Sequence, residues 1–302
     1  MPNFLEKPPA PFTLLSRERI KMNPPQMTKA LACAVRAARQ AGSLMRRNQT
    51  SVKKINRQSR HDIKLELDVR CQKLIEKSLL SAFPHSAVLG EEGVAGVAGA
   101  DWRWVVDPID GTVNFTYGVP HACVSIALQR RARASDDFST VIGVVYDPFC
   151  DELWTAARGG PARLNGRRIH ASRREDLAQA IVAIGFSKAT ASLRENLPVF
   201  NALVGKIRKM RMMGAAALSL SYVAAGRFDA YIESGVHLWD IAAAGLILEC
   251  AGGEFWRQPI AGSQTFRMLA NNGLLRRKLE RIARAAKKGR GLPRLLPGRQ
   301  PG

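Results

Sequence analysis

The 302-residue chain predicts a layered α/β fold. Two observations carry it. In the second half, short apolar runs of strand length alternate with helical patterns, an order that stacks helices on a sheet. In the first half, two amphipathic helical patterns precede alternating strands joined by turn signals, as when helices lie on an antiparallel meander. The length allows one large domain or two smaller ones with a proper core.

Residues 1–26 hold Pro2, Pro8, Pro9, Pro11, Pro24 and Pro25 and read as a loose extension. A helix is expected from Thr28, with Leu31, Val35, Ala38, Gly42 and Met45 on one face, ending within the basic stretch 46–54. Ile63, Leu65 and Leu67 alternate as an extended segment. Asp68 then caps a second helix with Cys71, Leu74, Ile75, Leu79 and Leu80 inward. Strands follow at 87–91, 102–107, 121–130, 140–146 and 152–157, with a polar hairpin connection at 131–139. Gly159-Gly160 and Asn165-Gly166 are turn signals, and a boundary near 160 divides an N-terminal domain, 27–160, from a C-terminal one, 161–272. Beyond it, strands at 181–186, 207–213 and 228–233 alternate with helices at 192–206, 215–225 and 240–251. Gly252-Gly253 stops the last helix, and short strands at 254–256 and 267–269 follow. A basic helix and tail, 273–302, complete the chain.

The chemistry concentrates at 104–112. Apolar and β-branched residues lead to Asp107 at a strand end, and Pro108, lacking an N–H, is expected to stop regular pairing. Asp110-Gly111-Thr112 reads as a tight turn into a short helix. Two carboxylates three residues apart beside a helix start suit a divalent cation next to a phosphate. An Asp-Pro turn with an Asp cap also has an ordinary structural use. Three features favour the metal: Gly90-Glu91-Glu92-Gly93 at the end of an apolar run, Asp240 at the start of an apolar helix, and the Thr112 hydroxyl. The Ile109 carbonyl is placed to add a neutral ligand, and no His or Cys is among these candidate ligands, which argues against zinc.

The stretches GEEG (90–93), WVVDPIDGTVNF (104–115) and HLWDIAAAGLILECAGG (237–253) resemble the three signatures of the inositol monophosphatase family, lithium-sensitive, magnesium-dependent phosphatases. The likeness spans Met27 to Asn272 and includes the order and spacing of the motifs. It implies an αβαβα sandwich with the active site in a cleft between its halves. By resemblance, Glu91, Asp107 and the Ile109 carbonyl hold a first Mg²⁺, and Asp107, Asp110 and Asp240 hold a second. A third, weaker ion leans on Glu91. Glu91 and Thr112 resemble the pair that orients the attacking water, and the Gly111 and Thr112 N–H groups hold the phosphate. The implied reaction is in-line displacement by metal-activated water. Glu233 resembles the carboxylate that binds a substrate hydroxyl, or is a solvated loop residue. Ala216 resembles a backbone contact to the polyol. Asp68 matches an acidic position behind the metals, or is simply the helix cap. His237 reads as a hydrogen-bonded residue at a helix start, and Arg211 and Met212 resemble a subunit-contact region of the family's dimers.

Two departures stand out. The family's Lys-x-x-x-x-Asp-x-Val-Thr pattern reads here as Arg57, then Asp62-Ile63-Lys64, which puts the third metal and a mobile lid in question and adds a cation near the site. Gly93 replaces a more common Ser. Val113-Asn114-Phe115 leans towards the inositol branch, because nucleotidase relatives tend to have Lys-Glu at the first two positions and histidinol-phosphate enzymes Arg-Ala. Phosphatases of sugar bisphosphates or 3′-phosphoadenosine nucleotides are the neighbouring alternatives, since fold does not fix substrate.

Composition adds a second class of function. The net charge is +21, and from Arg276 to Gly302 ten Lys or Arg face one acid, Glu280. Such a surface and tail can meet RNA or another polyanion, or be a solvated end. An RNA- or transcription-complex-binding factor on the same fold, a role that some bacterial members of the family have, is therefore the alternative to catalysis. Five scattered cysteines without C-x-x-C spacing fit reduced thiols in a cytoplasmic protein. No apolar run of spanning length and no secretory pattern is seen, so no membrane partner is expected.

Overall fold

The computed structural model describes residues 24–58, 63–132, 137–186 and 190–288. The expected extension at 1–23, the tail beyond 288 and Asp62 lie outside them, as do the side chains of Arg57 and Lys64. Helix α1 (Pro24–Arg47) starts earlier than expected, so residues 24–26 belong to it. Two prolines fit there because the first-turn N–H groups have no partner in the helix. Its buried face is a stripe of alanines with Met45, small enough to let the backbone lie close to a sheet. At Gly42 a Cβ would come within 2.6 Å of the Tyr146 ring. The hairpin β1 (Ile55–Gln58) and β2 (Ile63–Leu65) leads into α2 (Glu66–Ala82). Asp68 does cap α2, but from inside its first turn: its Oδ2 accepts the Leu65 N–H at 2.7 Å.

The next strands are β3 (Ala87–Gly90), β4 (Gly93–Gly96), β5 (Trp102–Asp110), β6 (Cys123–Arg131), β7 (Phe138–Asp147), β8 (Glu152–Ala157), β9 (Arg163–Leu164) and β10 (Arg167–Arg168), with the short helix α3 (Thr112–Thr116) after β5. They form one sheet in the order β10-β9-β8-β7-β6-β5-β3-β4, antiparallel except where β3 runs beside β5. The sheet thus continues past the turn at 159–160. Strand β4 has no counterpart in the sequence reading, because its Gly-Val-Ala-Gly run carries little β signal. Pro108 does not end the pairing as expected. Asp107 pairs with Ser125 and, after an irregularity over 108–109, Asp110 pairs with Cys123. The proline sits in a bulge, where a missing donor costs nothing.

The second half holds β11 (Ile181–Ile184), α4 (Thr190–Val204), β12 (Lys209–Arg211), α5 (Ala216–Ala224), β13 (Ala230–His237), α6 (Leu238–Cys250), β14 (Glu254–Pro259), β15 (Thr265–Asn271) and α7 (Arg276–Lys288). The expected strand at 207–213 shrinks to three residues at the sheet edge. The one at 228–233 shifts to 230–237, because β15 pairs with β13 as far as His237. The second sheet runs β12-β11-β13-β15-β14, parallel on one side and antiparallel on the other.

Among the described residues, three apolar cores separate five layers. One lies between α1, α2 and the first sheet. The second surrounds α5 and α6 between the two sheets. The third lies between the second sheet and α4 with α7. This is the expected αβαβα order. Helix α6 is apolar all round, as a helix with a sheet on each side must be. Gly143 of β7 permits that sandwiching: a Cβ there would stand 2.4 Å from the Ala243 carbonyl oxygen of α6.

Candidate active site

The site forms where β5 ends, beside the N-termini of α5 and α6. Asp107 and Asp110 are buried on β5. Asp107 Oδ1 accepts the Ile109 N–H at 3.0 Å, which folds the bulge around Pro108. The Asp110 carboxylate bridges the start of α5, accepting the Ala216 N–H at 3.1 Å and the Ala217 N–H at 2.7 Å. Cys123 Sγ lies 3.6 Å from the same carboxylate. Asp240 sits in the first turn of α6, its Oδ2 accepting the His237 N–H at 2.7 Å. Glu91 follows β3, its own N–H bonded to the Val106 carbonyl at 3.2 Å, which sets it beside the end of β5.

The turn after Asp110 is fixed by close packing. Gly111 has φ +91°, and a Cβ would meet the His121 carbonyl oxygen at 3.0 Å and Ala215 Cβ at 3.2 Å. The Thr112 hydroxyl donates to the Ile109 carbonyl at 2.8 Å. Asn114 then ties this turn to α5: its Nδ2 donates to the His121 and Met213 carbonyls, both at 2.9 Å. From the other side, the Ser125 hydroxyl donates to the Trp239 carbonyl at 3.1 Å, fixing the start of α6 against β6. Elements more than a hundred residues apart thus meet within one hydrogen-bonded frame.

The electrostatics are those of crowded acids. Burial, then the neighbouring carboxylates of Glu91, Asp110 and Asp240, push Asp107 well above the usual carboxylate range. Burial and then Asp110 do the same to Asp240, against the His237 N–H. Burial raises Asp110 to about 6 although the α5 N–H groups favour its anion. Among the described residues, no three His, Cys, Asp or Glu side chains close on a common point as an ion's ligands would. The backbone bonds explain the spread, since three of the four carboxylates lean towards their own N–H donors. What the four offer is hard oxygen and negative charge, with a raised proton affinity on the three aspartates. A hard divalent cation relieves that crowding, so the donor set fits Mg²⁺.

Of the remaining expected residues, Glu233 is not a solvated loop side chain. It is half-buried on β13 and accepts a hydrogen bond from the Tyr231 hydroxyl, two residues earlier on the same face. Burial raises it to about 7, and it feels the charge of Asp110. Its carboxylate lies against Gly185, where a Cβ would be 1.9 Å from Oε2. The Ala216 N–H faces Asp110, under the carboxylates. Asp68 is buried on α2, and its charge bears on Asp107. His237 stacks on Trp239 with centroids 4.6 Å apart and precedes α6, as expected of a helix-start residue. Arg211 and Met212 are exposed. Tyr231, Cys123 and the Ala217 N–H were not singled out in the sequence. Tyr231 alone had a signal, its period-two spacing from Glu233.

A model of the inositol monophosphatase family matches residues 26–289. The chain is 42% identical over 235 residues, 75% of its length and 84% of the other's, to a protein of Pseudomonas aeruginosa named Nus factor SuhB. It is 40% identical over 192 residues, 62% of its length and 69% of the other's, to an inositol-1-monophosphatase of Rhizobium meliloti. Among solved structures, the extragenic suppressor protein suhB of Bartonella henselae aligns with a TM-score of 0.78 and 33% identity, over 86% of this chain and 99% of the other. An IMPase of Thermotoga maritima aligns with a TM-score of 0.74 and 28% identity, over 87% of this chain and all (100%) of the other.

Proposed function

The chain belongs to the inositol monophosphatase family, and from that premise we propose that it hydrolyses inositol monophosphate or a closely related polyol phosphate with the help of Mg²⁺. The family acts on phosphate monoesters and is generally metal-dependent. The observation that carries the reading is the group of four carboxylates, Glu91, Asp107, Asp110 and Asp240, gathered from three elements, with burial pushing the three aspartates towards protonation. In a purely structural protein such a cluster would only cost stability.

In this reading Glu91, Asp107, Asp110, Asp240 and the Ile109 carbonyl hold two to three Mg²⁺ ions. Bound there, such ions neutralise the phosphate, acidify water and stabilise a leaving alkoxide. The Gly111 and Thr112 N–H groups orient the phosphate. Glu91 and Thr112 position a water for in-line attack, and the Glu91 carboxylate accepts its proton. Thr112 is preorganised for this by its bond to the Ile109 carbonyl. Glu233, oriented by Tyr231, accepts a hydrogen bond from a substrate hydroxyl. The Ala216 N–H holds Asp110, and the Ala216 backbone contacts the polyol. Asp68 supports the cluster from behind, and the exposed Arg211 and Met212 belong to a homodimer contact.

The test is phosphate release from inositol 1-phosphate with and without Mg²⁺, beside sugar bisphosphates and 3′-phosphoadenosine nucleotides, with Li⁺ as inhibitor. Rapid Mg²⁺-dependent release from inositol 1-phosphate is expected. Asp110→Asn should remain folded and lose nearly all turnover, and wild-type turnover in that variant would overturn the assignment. A second reading, a regulatory RNA-binding role, is favoured by the charge of +21 and by α7, whose Arg277, Lys278, Arg281 and Arg284 are exposed. Phosphatase-dead Asp110→Asn separates the two, because it should keep RNA binding.

A further inference from the structure

Strand β13 carries Tyr231 and Glu233 on one face, and Tyr231 is buried in the central layer. Strand β11 runs parallel beside it, but their pairing stops at Ile184 and Ile232. Gly185 adds one more bond, its N–H donating to the Ile232 carbonyl at 3.0 Å. Past that point buried backbone groups need other partners, and helix α4 supplies them. The Asn196 Nδ2 donates to the Gly185 carbonyl at 3.0 Å. The Ser192 hydroxyl donates to the Ser234 carbonyl. Ser192 and Asn196 stand one turn apart, so they share a face of α4, and both are buried. On the far side of β13 the ladder to β15 is irregular between Ser234 and Val236. Ser192 therefore steadies β13 just where its other ladder breaks.

Glu233 lies between these two anchors. Gly185 stands beside it, one residue past the Ile184–Ile232 pair, and Ser234 follows it in the chain. Its carboxylate rests on the bare Cα of Gly185, because a Cβ there would overlap both carboxylate oxygens. Gly185 does not have a positive φ. The chain thus needs glycine here for room, not for backbone conformation. The Tyr231 hydroxyl donates to the same carboxylate and fixes it from within the strand.

Taking Glu233 as the acceptor of a polyol hydroxyl, the reading on which this rests, we infer that Gly185, Ser192 and Asn196 are positioning residues for polyol recognition and act through Glu233. Helix α4 fixes the two backbone segments that flank the carboxylate, and Gly185 is its seat. An acceptor that must meet one hydroxyl of a ring binds it well only when held in place by its supports. The phosphate is gripped by a different stretch, the turn at 111–112. Loosening the seat of Glu233 therefore weakens the hold on the polyol more than it slows the reaction.

The test is steady-state phosphate release from inositol 1-phosphate by the full chain with Mg²⁺. It is run at pH 8, above the value of about 7 to which burial raises Glu233. Gly185→Ala should fold, since the atoms in the way are the end of a flexible side chain. It should raise KM by about tenfold or more, as loss of a hydrogen bond to a charged group does, with a smaller fall in kcat. Asn196→Ala and Ser192→Ala should raise KM in the same sense. Ser192→Ala removes a single oxygen, so it and Gly185→Ala carry the test even if Asn196→Ala does not fold. In a Glu233→Ala background, which itself raises KM, none of the three should raise it further, because the group they position is gone. Equal factors in both backgrounds would show a general loosening of the fold and overturn the positioning role, as would an unchanged KM in Gly185→Ala. An unchanged KM in Glu233→Ala would remove the hydroxyl contact and the positioning role with it, while Mg²⁺-dependent turnover still stood. No release by the wild type is a distinct result: it would remove the phosphatase reading itself, and the positioning role along with it.

Discussion

Glu233 holds its proton up to about pH 7 because burial disfavours the anion. The sign follows. Its folded pKa lies above the unfolded value, so the folded chain binds the extra proton and gains stability below the unfolded pKa. That gain is lost as pH rises from about 4.5 through about 7. A shift from 4.5 to about 7, at ~1.4 kcal/mol per unit, amounts to roughly 3 kcal/mol. Glu233→Gln keeps an acceptor for the Tyr231 hydroxyl and removes the titration. Urea unfolding should find the two chains similar at pH 4.5 and the variant more stable by about that amount at pH 8. Parallel pH profiles would show that Glu233 does not titrate in this range. Its KM for a polyol phosphate should also rise more than its kcat falls, as for a group that binds substrate without joining the chemistry. Gly111→Ala is the contrasting case. The left-handed φ of +91° and a contact of 3.0 Å to the His121 carbonyl leave no room for a methyl group. We expect a loss of about 1–3 kcal/mol in stability and a fall in kcat of at least about tenfold, since the phosphate-facing turn would move. Unchanged turnover would show that this turn does not hold the phosphate.

Between elements, Gly143 shows how the site depends on packing far from it. Its missing side chain lets α6 lie on β7, and α6 carries Asp240 at its first turn. A methyl at 2.4 Å from a backbone oxygen cannot be absorbed by a rotamer change, so Gly143→Ala should lift α6. Overpacking of this kind costs about 1–3 kcal/mol. The same shift should weaken Mg²⁺ dependence, seen as a higher Mg²⁺ concentration for half-maximal activity. A variant with lowered midpoint and unaltered Mg²⁺ response would mean that α6 tilts about Asp240 without displacing it. This contact also marks where legibility in the sequence ends. The strands of the meander, the apolar α6 and the carboxylates at element ends were readable because periodicity, Pro and Gly are local signals. The resumption of β5 at Asp110 was not, since it rests on the partner strand offering Cys123. The continuation of β13 past Glu233 was hidden likewise, because it rests on β15 pairing with β13 as far as His237. Nor did any local pattern show that Asp229, buried between sheets and loops, would accept the Ile181 N–H at 2.7 Å and the Arg174 guanidinium at 2.7 Å.

For the molecule as a whole, the net charge of +21 sets two salt responses of opposite sign. Self-repulsion at that charge destabilises the compact state. Salt screens it, with a Debye length of about 30 Å at 0.01 M falling to about 10 Å at 0.1 M. The thermal midpoint should therefore rise with NaCl between those concentrations. A polyanion bound by the same surface responds the other way, because each phosphate neutralised releases counterions that added salt opposes. If α7 contributes its exposed Arg277, Lys278, Arg281 and Arg284 to four phosphate contacts, the logarithm of RNA affinity should fall with the logarithm of salt with a slope of about −3 for single strands. Replacing these four by Gln should flatten the slope and leave Mg²⁺-dependent phosphate release intact, since α7 covers the outer face of the second sheet and the carboxylates lie on its other side, at the ends of β3 and β5 and the start of α6. An unaltered slope would move RNA recognition away from α7. No measurable RNA binding at about 0.02 M salt would leave the charge as a matter of solubility and remove the regulatory reading.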